Sequence, residues 1–314
     1  MNDAVAKRVE DKGKRLSGIY SGLLASFLLG WAPILGKLAY KAHVAPLTLA
    51  ALRTLVAAVF LWVVYVLFLR QRILLRWQDL LSCLLVGAIN GVGSIFYYNG
   101  LSRIDASRAS LLSTLYPVWV VIFLSSSGQP ISKFTLLRLG ASLFGAVLVT
   151  SPWGANDATN YLGTMLMVAS AAINGWYMVM GQWVLADVPA GSGTLYIMTG
   201  MALIVSVAQF AAVGPVGLIS AEGWYAITAL GLTTALSRLA MFLSLERLGG
   251  VQTAILSLTE LAVSLTLAFA LLGDRMTWPQ WLGALLLLAG VVFARRDIEQ
   301  ETLLSSFNPM DGQS

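Results

Sequence analysis

GLSRIDASRASLLSTLYPVW, residues 100–119, and SLERLGGVQTAILSLTELAV, residues 244–263, decide the fold when they are laid over each other. At an offset of 144, Leu101 meets Leu245, Arg103 meets Arg247, Ser113 meets Ser257 and Tyr116 meets Glu260, and Gly87 meets Gly231 in the same register. Flanking segments keep an offset of 145, which pairs Gly30-Trp31 with Gly175-Trp176, Gly36 with Gly181, Gly128 with Gly273 and Gly145 with Gly290. Apolar helices share composition easily. Gly, Trp and Arg held in a nearly constant register mark an internal repeat instead.

The solvent of that repeat follows from composition. Of 314 residues 58% are hydrophobic and 11% charged, against about 25% charged in soluble domains, and the mean hydropathy is +0.78. The apolar residues fall into ten blocks, near 17–37, 46–69, 78–101, 106–127, 132–151, 160–185, 194–213, 223–245, 250–272 and 277–294. Each has roughly the 20 residues needed to cross a hydrocarbon core as a helix. The alternation over about ten residues that a membrane β-strand needs is absent. The expected fold is therefore an all-α membrane protein of ten transmembrane helices.

Ten spans in two copies leave five per copy. Because five is odd, the second copy enters the membrane from the opposite side, which makes an inverted repeat with a pseudo-two-fold axis in the membrane plane. The expected organisation is a tail over 1–16, a first repeat over 17–151, a second over 160–296 and a tail over 297–314. Lys7, Arg8, Lys12, Lys14 and Arg15, with Arg70, Arg72, Arg76, Lys133, Arg138, Arg247, Arg295 and Arg296, crowd one side, and only Lys41, Arg103, Arg108 and Arg275, with Lys37 near a helix end, mark the other. The positive-inside rule places both termini in the cytoplasm. The net charge of +5 is thus a topology signal, and no nucleic-acid partner is expected. The basic N-terminus precedes an apolar run as in a signal peptide, but no small-residue cleavage site closes the run and it is expected to be retained.

Glu260 stands within an apolar run from Leu256 to Gly273. A carboxylate at mid-depth costs about 2.5–3.5 kcal/mol on insertion scales and normally faces the bundle interior. Thr253, Ser257, Glu260 and Ser264 follow at helical spacing and line one face. The preceding span carries Arg238; the connection around Leu248-Gly249-Gly250 is short, so the two spans run antiparallel, and Arg238 and Glu260 each lie about 16 Å from the turn. Two roles are open to them: a buried ion pair holding the hairpin, or groups facing a substrate cavity. Their counterparts in the first copy are Ser94 and Tyr116. Asn90, Ser94 and Tyr97 share one helix face, with Gly91 and Gly93 beside them; Asn174 and Tyr177 share another, next to Trp176, the mate of Trp31. Together with Ser257 these residues form the candidate amphipathic pocket, and Glu260 is also the candidate proton-coupling group. Arg53 lies about seven residues inside its helix and can either snorkel or face inward. Lys37 reads as a snorkelling anchor and His43 as a solvated loop residue.

Other chemistry finds few parts. There is no P-loop, no His/Cys cluster at metal spacing, and a single cysteine, Cys83, so neither a disulfide nor a CxxC site can form. Neither an enzyme nor a bound cofactor is expected. The partners are a small-molecule substrate and the lipid bilayer, and oligomeric state is open.

The order of certain residues resembles the EamA-type, ten-helix members of the drug/metabolite transporter superfamily over residues 17 to 295: Lys37, Arg53, Pro117, the Gly273-Asp274-Arg275 turn, and Gly283 with Gly290. Two departures stand out. The Glu-Pro that such proteins often carry in the fourth helix of a repeat is split here into Tyr116-Pro117 and Glu260-Leu261, and Gln129-Pro130 replaces the acidic-basic turn of the first half. The resemblance implies an inner-membrane secondary transporter that exports amino acids or related metabolites by alternating access. The residues suit a zwitterion, with Arg238 toward a carboxylate, Glu260 toward an amine and aromatics around the side chain. An organic-anion carrier, a channel or lipid scramblase, and a receptor or scaffold are the alternatives.

Overall fold

A computed structural model describes residues 2–126, 133–150, 160–185, 188–248, 256, 259–286 and 289. The described residues are mostly helical and contain no strand. The elements are α1 (Asn2–Gly30), α2 (Ala32–Lys41), α3 (Pro46–Phe68), α4 (Trp77–Leu101), α5 (Ala106–Ser113), α6 (Tyr116–Ser126), α7 (Lys133–Thr150), α8 (Tyr161–Leu185), α9 (Ala190–Ala212), α10 (Ala221–Leu248) and α11 (Thr259–Leu267), with a last helix, α12, over 278–286. Paired as α1/α2 and α5/α6, they make ten spans in the order the hydropathy blocks predict. Six of the described stretches are by themselves long and apolar enough to cross a membrane.

Two spans predicted as continuous helices are broken, and proline accounts for both. Pro33 lies in the first turn of α2, and a proline nitrogen cannot donate to the carbonyl four residues back. The chain tightens instead, with the Trp31 amide donating to the Leu28 carbonyl at 3.2 Å. Pro117, the second residue of α6, acts likewise: the Thr114 and Leu115 amides donate to the Leu111 and Leu112 carbonyls, each at 3.1 Å. The ninth span ends differently, in one π turn over Ala268–Leu272 closed by Gly273 at φ 74°. That left-handed conformation favours glycine, and it reverses the chain immediately before Asp274.

Helix packing follows the repeat. With the spans numbered one to ten, span three packs on six and seven, and span eight on one and two; span four packs on six, and span nine on one; spans two and seven pack on each other. Adding five to each number, modulo ten, turns every pair into another pair of the same set. That is the contact pattern of a two-fold axis relating the two halves.

The glycines show the same symmetry at atomic scale. A Cβ on Gly30 of the first span would lie 3.0 Å from the Glu260 carbonyl, and one on its mate Gly175 would lie 3.0 Å from the carbonyl of Tyr116, the mate of Glu260. Gly87 in span three sits against Ile197 and Met201 of span seven, and its mate Gly231 in span eight against Arg53 and Val56 of span two. Helices in lipid gain no hydrophobic drive from meeting each other, so close approach at small residues supplies much of their attraction.

The polarity is inverted relative to a soluble protein. Val59, Leu67, Phe68, Leu85, Leu203 and Phe210 are exposed on the outer surface, whereas Thr54, Ser94, Ser110, Ser237, Ser244 and Ser264 are buried. The hydroxyls stitch the helices together: Ser26 Oγ donates to the Leu256 carbonyl at 3.0 Å, Ser170 Oγ to the Gly93 carbonyl at 2.9 Å, and Ser110 and Ser264 share a hydrogen bond of 2.6 Å between the two halves.

Candidate functional site

The interior polar cluster forms around Arg53. On α3 it is 7% exposed, so of the two positions open to it, the interior is the one it occupies. Nη2 donates to Ser94 Oγ on α4 at 2.7 Å, and Nη1 to Thr234 Oγ1 on α10 at 3.3 Å. The guanidinium carbon stands 4.5 Å from the centre of the Tyr98 ring, a cation–π contact. Tyr98 is fixed in turn, because Tyr40 Oη donates to its carbonyl at 2.8 Å and the Tyr97 ring meets it edge to face at 5.1 Å. Tyr97 itself is partly buried on the same span.

The other predicted residues occupy several places. Arg238 lies one turn beyond Thr234 on α10, partly buried, with Nε lacking a hydrogen-bond partner among the described residues. Glu260 and Tyr116 are partly buried on equivalent spans, and both are engaged in contacts of their own. Asn90 Nδ2 reaches Met201 Sδ on α9 at 3.5 Å. Tyr177 packs beside a separate small core of Cys83, Val86, Val188 and Ile197. Trp176 is 53% exposed and rests against Phe123 at 5.7 Å, and Trp31 meets Phe27 at 6.4 Å. Asn174 is partly buried on α8. Ser257 and Thr253 lie outside the described residues. The structure thus brings Ser94, Thr234 and Tyr98 to Arg53, sets Tyr97 against Tyr98 with Arg238 a turn beyond Thr234, and leaves Tyr177 and Trp176 apart.

Arg238 and Glu260 stand on adjacent spans, α10 and α11, and each is partly buried. Where two charges neutralise each other in a buried pair, removing both restores much of what removing one costs. If instead the two face the substrate separately, the losses of stability in detergent from Arg238→Met and Glu260→Gln should add in the double variant, within about 0.5 kcal/mol. Recovery in the double variant would mean that they act as a pair.

A second polar group, which the sequence did not reveal, occupies one end of the bundle. Lys37, Tyr40, Lys41, Ser102, Asp105, Leu272 and Asp274 line a cavity of about 340 Å³, with Lys37 in the fields of both aspartates. Lys37 is therefore part of a charged vestibule as well as a helix-end lysine. Asp105 holds the N-cap position of α5 but makes no side-chain cap bond; it faces Arg108 at 3.7 Å. The cap comes from the other repeat, where Asp274 Oδ2 accepts from both the Ser107 amide and Ser107 Oγ at 3.0 Å. Losing an N-cap acceptor costs about 0.5–2 kcal/mol. Asp274→Ala is accordingly expected to lower the melting temperature by a few degrees, with Asp274→Asn intermediate; an unchanged melting curve for Asp274→Ala would count against the cross-repeat cap.

A ten-span bundle of two inverted halves, apolar outside and charged within, defines the inverted-repeat class of membrane transporters. The chain belongs to the EamA-like transporter family, whose sequence profile matches twice, at residues 16–151 and at 161–296. It is 28% identical over 202 residues to the uncharacterized inner membrane transporter YicL of Salmonella typhimurium (strain LT2), an alignment spanning 63% of this chain and 56% of the relative's length. A protein crystal structure superposes with a TM-score of 0.61 at 19% identity, covering 90% of this chain and 99% of the other. At that identity the likeness speaks for the fold alone.

Proposed function

We propose that the chain carries a small amphipathic zwitterion, an amino acid or a related metabolite, outward across the inner membrane by alternating access. The observation behind this is the interior cluster in which Arg53 donates to Ser94 Oγ at 2.7 Å and to Thr234 Oγ1 at 3.3 Å and stands over the Tyr98 ring, with Glu260 partly buried on the ninth span. A zwitterion bound there neutralises both groups and removes the cost of holding them in a low-dielectric interior. The Tyr97 ring, partly buried beside it, gives its side chain an apolar wall. The name borne by the YicL relative supports an inner-membrane address.

The inverted repeat supplies the motion. Two halves related by a two-fold axis in the membrane plane can exchange conformations, and that exchange exposes one midplane site to either side in turn. Asp274 on Ser107 ties the halves together at the vestibule end, so opening that end requires this contact to yield. The organic-anion reading draws on one observation, that Arg53 and Arg238 each carry an Nε without a hydrogen-bond partner among the described residues.

Counterflow in proteoliposomes tests the proposal. Amino acids and related zwitterions, loaded inside, should accelerate entry of the same labelled compound and saturate. Conduction without saturation or counterflow would identify a channel or scramblase, and counterflow only with anions lacking an amine would favour the organic-anion carrier. The direction of insertion has its own test: reporter fusions after residues 155 and 188 are expected to report outside and inside respectively. The reverse pattern would reject cytoplasmic termini.

A further inference from the structure

Arg53 is a buried cation whose charge no acid among the described residues neutralises at contact distance. Its three visible compensations are neutral: the Ser94 hydroxyl, the Thr234 hydroxyl and the Tyr98 ring. The Thr234 contact is long at 3.3 Å, and the Thr234 hydroxyl spends its own proton on the Leu230 carbonyl at 2.7 Å. Nε has no hydrogen-bond partner among the described residues. A guanidinium offers five N–H donors in a rigid fork matched to a carboxylate or phosphate, and here that fork meets hydroxyls alone. Leaving one member of a buried ion pair uncompensated is a strongly destabilising arrangement. A helix that only needed a strut between α4 and α10 would do as well with a neutral side chain.

We infer that Arg53 is the anion anchor of the interior site, holding the carboxylate or a similar oxyanion of the transported molecule, with Ser94 and Thr234 as hydroxyl placeholders that release the guanidinium when the anion arrives. This rests on the transport reading above and specifies its substrate class: the molecule carries a carboxylate-like group. The sequence pointed to Arg238 for this task. Arg238 lies one turn beyond Thr234 and adds a second positive charge to the same region. The positions favour Arg53, because it touches helices from both repeats, α4 through Ser94 and α10 through Thr234, and an anion that displaces those contacts changes how the halves are joined.

The test uses the purified full chain in detergent, with melting temperature as the readout. A carboxylate built in at a placeholder position, as Ser94→Asp or Thr234→Asp, supplies the missing counter-ion. At least one of these variants is expected to melt about 2 °C or more above the parent and to lose the response to added acids. The probes are 3-phenylpropionate, phenylalanine and phenethylamine. The two that carry a carboxylate should raise the parent's melting temperature by mass action, and phenethylamine should raise it less. Arg53→Met, which keeps volume and removes charge, should lose that carboxylate response at least tenfold in apparent affinity, and Arg53→Lys should keep part of it. If neither aspartate variant is stabilised, the charge is already balanced and the inference fails; it fails equally if the carboxylate probes give no shift or if Arg53→Met responds to them as the parent does. Counterflow by the parent separates the two ideas: active counterflow with unstabilised aspartate variants overturns the anchor alone, whereas stabilised variants in a protein without counterflow overturn the transport reading alone.

Discussion

Glu260→Gln is expected to leave the bundle folded and to cut transport at least tenfold, about 1.4 kcal/mol of lost interaction if binding limits the rate. The carboxylate stands partly buried on the ninth span. A Cβ on Gly30 would lie 3.0 Å from its backbone carbonyl, so the first and ninth spans pack closely there through backbone that glutamine leaves unchanged. What glutamine removes is the charge that would hold a substrate amine opposite Arg53. Tyr116, its mate in the first half, stands at the equivalent approach of Gly175 and offers a hydroxyl in place of a carboxylate, so Tyr116→Phe should have the smaller effect. Because the symmetric position is not acidic, coupling to protons would rest on Glu260 within this pair, and the pH dependence of transport should flatten in Glu260→Gln. Initial rates of counterflow across a pH series measure both effects. Normal rates with an unchanged profile would reduce Glu260 to a structural counter-ion.

Gly87→Val is expected to abolish the folded protein. A Cβ at Gly87 would lie 2.1 Å from the Ile197 carbonyl oxygen and 3.0 Å from the Met201 amide nitrogen. Both are backbone atoms of α9, so no side-chain rotation can relieve the clash. From the other side, a Cβ on Gly200 would lie 2.4 Å from the Leu84 carbonyl oxygen. Spans three and seven therefore touch backbone to backbone, and valine requires two whole helices to separate. Overpacking where side chains can yield costs about 1–3 kcal/mol; here the loss should exceed about 3 kcal/mol and appear as loss of the monodisperse peak in size-exclusion chromatography. Gly140→Ala is the control, since among the described residues, its own helix backbone and chain neighbours aside, nothing lies within 4 Å of the position its Cβ would take. A well-folded Gly87→Val protein would mean that spans three and seven do not meet backbone to backbone.

The sequence by itself determined the solvent, the number of spans and the inverted relation of the halves. Each rests on a property that survives without coordinates. Hydrophobic length reports the membrane thickness, and residue pairs at a constant offset report duplication; an odd count per copy then forces inversion. It also singled out Glu260, because a carboxylate in an apolar run is costly wherever the helix packs. Ser94 and Tyr97 were legible too, as polar residues at helical spacing on one face.

The tertiary structure alone decided which of these residues meet. Arg53 read equally well as a snorkelling residue, since depth along a helix leaves its rotational setting open; burial against α4 and α10 turned it inward. Thr234 and Tyr98 carry no signal of their own, being a hydroxyl and an aromatic among many, and they matter only because they converge on that guanidinium. Tyr177 shared a face with Asn174 in sequence yet packs into a separate small core, because helical periodicity fixes a direction around one axis and leaves open which neighbour fills it. The Asp274 contact with Ser107 spans 167 residues, and a cap supplied across that distance leaves no local pattern, whereas Asp105, the residue that local spacing assigns as the cap, faces Arg108. Composition and periodicity are sums over one chain segment, but a binding site is a coincidence of several segments, and only packing brings them together.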